Sequence, residues 1–317
     1  MTSQEQYDKI LTEYIELGHL SPARETTEET YYLPHHAVFK EESNTTKIRI
    51  VFDASAKKDK GIALNDTLMV GPTIQDRLVS HLIRFRTYRY VLTADIAKMY
   101  RQVWMHEDDK RYQRILWRQG GQIRDFNLNT LVFGISSSPF LATRTLQKSA
   151  DDESQNYARA AKILKTRFYM DDLITGADSI NDAKTIRDEI IVLLAKGGFI
   201  IRLWASNNYE IIKELDRSSI HTNFTIEINR TLKTLGIKWC AKEDKIIYEP
   251  AQIRVVERLT KRNVLSEIAK VYDPLGLLGP VIFYIKRLMQ DVWCSGIHWD
   301  ESVTQEVYSK WIEFARQ

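Results

Sequence analysis

Residues 167–176 read RFYMDDLITG, placing two adjacent aspartates, Asp171 and Asp172, in a short apolar run that otherwise has the composition of a strand. Neighbouring strand residues point to opposite faces, so a carboxylate pair in mid-strand would push one charge into the core that the strand packs on. Burying an unpaired carboxylate is costly enough that the pair requires either a bend in the chain or a cation. If YMDD, 169–172, forms the tip of a hairpin turning at Met170 and Asp171, the two aspartates need not face opposite ways. That turn requires a positive φ, an awkward demand on Met170 and the kind of strain that functional sites hold. The same four residues also suit an ordinary exposed turn, where Asp is common.

Working outward, a second apolar run, RYVLTAD at 89–95, leads through Val91, Leu92 and Thr93 into Asp95. In an antiparallel sheet, adjacent strand tips can bring Asp95 beside Asp171 and Asp172. Three carboxylates at one point repel, so something positive must sit between them. With no His or Cys at ligand spacing, hard oxygen donors favour Mg²⁺ or Mn²⁺ over zinc. Two such ions about 4 Å apart form the clamp used for in-line phosphoryl transfer.

The remaining pattern is mixed. Tyr7, Ile10, Leu11, Tyr14 and Ile15 form the stripe of an amphipathic helix over 4–18, and a polar linker follows to residue 30. YYLPHHAVFK and KIRIVFDAS are strand-like and separated by EESNTT, a hairpin-loop composition. Residues 61–86 read as loop and then helix, and Gly120-Gly121 marks a second hairpin. SSSPFLATRTLQKSA begins a helix with Ser138 as N-cap and Pro139 at the first helical position. Further helices are expected before the aspartate run and over 180–196, with strands at FIIRLW, FTIEIN, TLGIKWC and KIIYEP. Residues 251–317 read as mostly helical, broken by YDPLGLLGP. Helices inserted between antiparallel hairpins make the class α+β.

At 317 residues the chain has room for two domains or one large one, and 44% apolar with 27% charged residues is the balance of a soluble globular protein. No run of about 18 uncharged apolar residues occurs, and the N-terminus MTSQEQYDKI has no apolar signal core, so no membrane contact and no secretion are expected. Two cysteines, Cys240 and Cys294, suit a reducing, intracellular compartment. The net charge of +3 permits nucleic-acid binding without demanding it. Arg84, Arg86 and Arg89 alternate with aromatics, and Lys110, Arg111, Arg114 and Arg118 lie near Tyr112 and Trp117. Such clusters suit phosphate contact with base stacking, and they equally suit a solvated amphipathic face. The acidic groups at 107–109 and 151–153 read as solvated turns, and His35-His36 as local packing.

Taken together, YMDD at 169–172, ADIAKMY at 94–100, VFGISSSPF at 132–140 and LGIKW at 235–239 resemble, in order, the palm motifs and primer grip of reverse transcriptases. YYLPHHAVFK, RIVFDASAK, LNDTLMVGPTIQ and AKVYDPLGLLGP resemble the BEL/Pao group of long-terminal-repeat retrotransposons in particular. The resemblance implies a right-hand polymerase with an antiparallel palm sheet. It implies an N-terminal helix and linker over 1–30, fingers over 31–88 with part of 101–130, a palm over 89–240, and a thumb or connection-like helical segment over 241–317, truncated before any ribonuclease H. Asp95 and Asp171 would be the main ligands of two Mg²⁺ ions, or Mn²⁺, with Asp172 a partial ligand and the Ile96 carbonyl contributing.

By the same resemblance Tyr100 would lie under the sugar of the incoming deoxynucleotide and exclude a 2′-hydroxyl. Gly134 would let backbone approach that nucleotide, Phe133 would pack beside it, and Met170 would hold the strained turn. Arg49 would bind the triphosphate, with Lys40 a second fingers cation. Leu235 and Gly236 would belong to the primer grip. The partners implied are a primed RNA or DNA template and a dNTP; no oligomeric state is implied, and the expected location is intracellular, in a cytoplasmic particle, with the nucleus as the alternative. Two positions depart from the family pattern. Leu203 stands where a lysine is expected, beside an Arg202 whose high pKa makes it a poor proton donor, and Ala97 replaces an acidic residue. The alternative reading is an inactive or truncated retrotransposon-derived remnant that only binds nucleic acid.

Overall fold

The structure, a computed structural model, describes residues 3–39, 48–58, 61–221, 231–234, 237–248, 253 and 256–316. Contacts divide the chain into two compact units, Met1–Asp76 with Tyr88–His221, and Arg77–Thr87 with Thr222–Gln317.

The first unit is built on a four-stranded antiparallel sheet. Strands β4 (Tyr90–Ile96), β7 (Phe168–Tyr169), β8 (Asp172–Ala177) and β9 (Ile201–Ser206) lie in the order β7-β8-β4-β9. Val91, Leu92, Thr93 and Ala94 are all buried, so β4 is covered on both faces and reads as a continuous apolar run until Asp95. Helix Ile180–Lys196 packs on β4 and β8, and helices Ser138–Asp152 and Ala158–Thr166 pack against it and each other.

The same unit holds a sheet of β1 (Leu20–Pro22), β5 (Arg114–Gln119) and β6 (Gln122–Leu128), ordered β1-β6-β5, and the hairpin of β2 (His35–Phe39) with β3 (Ile48–Phe52). The β5–β6 turn is Gly120-Gly121, both at positive φ as a type I′ turn demands. Leu20, Phe52, Ile115, Trp117, Phe126 and Ile135 form a core on which helix Ser3–Glu16 lays Tyr7, Ile10, Tyr14 and Ile15. The expected i, i+3, i+4 stripe is therefore the buried face. The loop EESNTT lies outside the described residues.

The expected cap of helix Ser138–Asp152 moves by one residue. Ser137 is the N-cap and makes no side-chain capping bond, so Pro139 falls in the second helical position. Ser138 is fully buried and its Oγ donates to the Val132 carbonyl at 2.8 Å, which commits the hydroxyl to anchoring the preceding loop.

In the second unit, helix Leu78–Phe85 meets the antiparallel strands β10 (Thr231–Thr234), β11 (Ile237–Cys240) and β12 (Lys245–Ile247). The Phe85 and Trp239 rings meet edge to face at 5.0 Å, and Arg86 pairs with Asp244 at 2.6 Å. Helices Lys261–Ile268, Gly279–Cys294 and Gln305–Arg316 share a core of Leu259, Val264, Leu288, Val292, Val307 and Trp311. In YDPLGLLGP, the Asp273 carboxylate accepts the amides of Leu277 (2.9 Å) and Leu278 (2.7 Å) just ahead of helix Gly279–Cys294. The half-exposed Trp293 and Trp299 rings meet edge to face, with the Lys261 ammonium over both. FTIEIN lies outside the described residues. No described helix is long and apolar enough to cross a membrane.

Candidate active site

Strands β7 and β8 form a hairpin in which Tyr169 pairs with Asp172, leaving Met170 and Asp171 as the two turn residues. Met170 carries φ +55 and is the only one of the two with positive φ, the pattern of a type II′ turn. The bend thus takes Asp171 out of the strand, and Asp172 stays at its start. In the neighbouring strand Asp95 is the register partner of Asp172, and the Ile96 amide donates to the Asp171 carbonyl at 2.9 Å. A cross-strand pair and a backbone bond therefore bring together two stretches far apart in sequence.

Charge is unbalanced at this point. Burial, followed by repulsion from Asp171, pushes the Asp95 carboxyl up to about 6. Burial, then repulsion from Asp171 and Asp95, pushes Asp172 up to about 7. Asp171 is also raised, by burial, against the pull of the Arg49 guanidinium. Asp95 and Asp171 stand within hydrogen-bonding reach of each other. Among the described residues no three His, Cys, Asp or Glu side chains group closely enough to hold a metal ion. The carboxylates present are thus a close pair, Asp95 and Asp171, with Asp172 beside it. Half-buried hard oxygens whose repulsion Arg49 and Arg202 offset only in part are the donor type that suits a hard divalent cation.

Besides Arg49, a second cation of the chain itself stands at the pair. Arg202 is the register partner of Asp95 on β9, and its Nε lies 3.7 Å from Asp95 Oδ2. It gets there through a β-bulge, in which Ala94 opposes both Leu203 and Trp204 and Leu203 takes φ +54. The position where a lysine was expected is therefore a backbone irregularity directly beside Asp95.

Tyr100 sits in the 3₁₀ turn Met99–Gln102 after β4, buried, with its ring 4.5 Å from that of the exposed Phe133. Burial, then the charge of Asp171, pushes its hydroxyl up to about 12, which ties the ring electrostatically to the carboxylates. Gly134 has φ +102, and a Cβ there would fall 1.8 Å from the Phe52 carbonyl oxygen. The close approach that Gly134 permits is therefore to the end of β3, because the Phe133–Gly134 loop is pressed onto that strand. Arg49 projects from β3 as an exposed residue opposite Val38. Ile96 is fully buried. Thr143 Oγ1 on helix Ser138–Asp152 lies 4.0 Å from Met170 Sδ. Lys40, Leu235 and Gly236 lie outside the described residues.

Asn65 escaped the reading of the sequence. Its side chain donates to Ser55 Oγ (2.8 Å) and the Gly134 carbonyl (3.0 Å) and accepts from the Ser136 amide (2.9 Å), pinning the Phe133 loop to the chain after β3. The signal was present in LNDT, an Asn with no helix-capping role, but its partners are remote in sequence.

Comparison with known proteins follows the same outline. No curated protein sequence matches the chain significantly. Among solved structures, the chain is similar to the foamy viral protease-reverse transcriptase in complex with RNA/DNA hybrid, at TM-score 0.64 and 14% identity over 100% of this chain and 37% of that one. It is also similar to the foamy viral protease-reverse transcriptase dRH in complex with double-stranded DNA, at TM-score 0.56 and 14% identity over 98% of this chain and 47% of that one. The chain thus spans less than half the length of either, and at this identity the likeness shows a shared right-hand polymerase fold. Residues 260–317 match the Pao retrotransposon-like RNaseH-like domain, and residues 43–206 match the reverse transcriptase (RNA-dependent DNA polymerase) family. Because the second match takes in the whole carboxylate site and over half of the sequence, the chain belongs to the reverse transcriptase family.

Proposed function

We propose that the chain is an RNA-directed DNA polymerase that joins deoxynucleotides to a primer 3′-hydroxyl on an RNA or DNA template. The observation that carries this reading is that Asp95, the register partner of Asp172, stands beside the turn whose Asp171 carbonyl accepts the Ile96 amide, so that the carboxylates meet at neighbouring strand tips. The family generally uses divalent metal ions. Asp95 and Asp171, with the Ile96 carbonyl and Asp172 beside them, would hold two Mg²⁺ or Mn²⁺ ions. When bound, these ions supply activation of the attacking oxygen and neutralisation of charge on the leaving group.

The protein's own part is positioning. The Tyr100 ring, wedged against Phe133, forms a wall where a deoxyribose fits and a 2′-hydroxyl does not. Arg49, whose charge already reaches Asp171, suits a bidentate contact with the triphosphate. Arg202 offsets the negative charge of Asp95. Leu203 beside it carries no proton to give, so that position offers the leaving pyrophosphate no side-chain acid.

Primer extension on an RNA template with Mg²⁺ and with Mn²⁺ tests the reading. Asp171→Asn is expected to extend at least about a thousandfold more slowly than wild type, in line with loss of a transition-state charge clamp. Equal extension by the two proteins, or none by either, refutes the proposal.

A further inference from the structure

The N-terminal helix lies outside residues 43–206, the stretch matched to the reverse transcriptase family, yet it grips the turn that carries Tyr100. Glu13 accepts from the Lys98 ammonium at 2.7 Å and stands 3.6 Å from Arg101 Nη1. The next residue, Tyr14, carries the Arg101 guanidinium 4.6 Å above its ring centroid. One helix thus holds the residues on both sides of Met99-Tyr100. The chain after it continues the contact, as Asn129 donates its side-chain amide to the Gly18 carbonyl (2.7 Å) and its backbone amide to the His19 carbonyl (2.8 Å). The His19 and Trp104 rings meet edge to face close by.

The turn needs such a grip. Lys98 takes φ +52 with an ordinary side chain, a conformation that persists only when its surroundings impose it. On the inner side, Gln102 donates to the Ala97 carbonyl and accepts from the Ile200 amide at 2.7 Å. On the outer side, the ion pairs of Glu13 are the restraint. In the chain Tyr100 lies between the held residues Lys98 and Arg101, and the use of its ring as a wall against a 2′-hydroxyl depends on its position to within fractions of an ångström.

We infer that Glu13 is a positioning residue for Tyr100 and, through it, a determinant of the choice between deoxyribose and ribose. The inference rests on the polymerase reading above. Without Glu13 the Lys98 and Arg101 side chains lose their common anchor, the strained Lys98 backbone relaxes, and the ring gains room to tilt away from the sugar.

The test is single-nucleotide primer extension by the full chain, measuring kcat/KM for a dNTP and the matching rNTP. Wild type is compared with Glu13→Gln, Glu13→Lys and the charge-swapped pair Glu13→Lys/Lys98→Glu. Glu13→Lys is expected to lower the dNTP-to-rNTP ratio by about fivefold, the reach of a half-exposed ion pair, with dNTP turnover within about twofold of wild type. Glu13→Gln should show a smaller drop, and the swapped pair should recover most of the ratio. Glu13→Gln is nearly isosteric at a half-exposed position, so it remains informative if the charge reversal fails to fold. A merely structural role predicts a parallel loss for both nucleotides, and an unchanged ratio in an active enzyme overturns the inference. A wild type that extends with neither nucleotide overturns the polymerase reading itself, and the inference with it.

Discussion

Lys98, Met170 and Leu203 are three of the four described non-glycine residues with positive φ, and all three adjoin the carboxylate site. Each position costs an L-residue about 1–2 kcal/mol, so their clustering marks the place where geometry outranks backbone comfort. Met170 was legible in the sequence because two strands flanking two residues demand a primed turn. Lys98 and Leu203 were not, since nothing in the residue types of AKMY or RLWA announces a left-handed backbone. Gly134 is the complementary case, a residue whose lack of a side chain is needed. Gly134→Ala would place a methyl within 1.8 Å of the Phe52 carbonyl at a φ of +102. A loss of more than about 2 kcal/mol in stability is expected, read as a lower urea midpoint at unchanged slope, together with slower primer extension.

Among elements, one of the polar joins between the N-terminal helix and the β-sheets runs through an imidazole, beside the bond from Trp117 Nε1 to Asp8 at 2.8 Å. His35 on β2 bonds the Tyr7 hydroxyl on the helix and the Leu116 carbonyl on β5 (2.9 Å), and its burial lowers its pKa below the usual value near 6.5. The unfolded chain therefore binds this proton more readily than the folded one. The stabilisation is complete above pH 6.5 and declines as pH falls through that value towards the lower folded pKa. In thermal melts the Tm difference between wild type and His35→Gln should be largest at pH 8 and shrink between about pH 7 and 5, against the opposite trend that the raised Asp95 and Asp172 carboxyls give both proteins. Element identities and order were largely legible, because hydrophobic period and glycine placement decide them locally. The cap of helix Ser138–Asp152 was misplaced by one residue because a buried carbonyl six positions upstream competes for the Ser138 hydroxyl. The β4–β9 bulge was illegible for the same kind of reason, a tertiary demand with no local residue signature.

At the scale of the molecule, 45 basic residues stand against 42 acidic ones, and many of the cations are engaged in pairs such as Arg86–Asp244, Arg262–Asp300 and Lys310–Asp291. A nucleic-acid partner would meet local patches instead of a global positive field. Affinity for a primed duplex should fall with salt along a log–log slope shallower than about −5, measurable by fluorescence anisotropy between 50 and 200 mM KCl. A slope near −10 would mean a far larger phosphate footprint than these paired cations leave open. That Asp95 and the YMDD aspartates meet at neighbouring strand tips was legible from the two apolar runs that end in them, whereas the division into two compact units was not, because helix Leu78–Phe85 joins residues that follow it by more than a hundred positions. The Trp293–Trp299 corner beneath Lys261 gives the second unit an optical label of its own. Trp204, Trp239 and Trp311 are fully buried and Trp117 nearly so, so once Trp104 is replaced by Phe, the red edge of the emission belongs to these two half-exposed rings. Their quenching would then follow events in that unit without any dye.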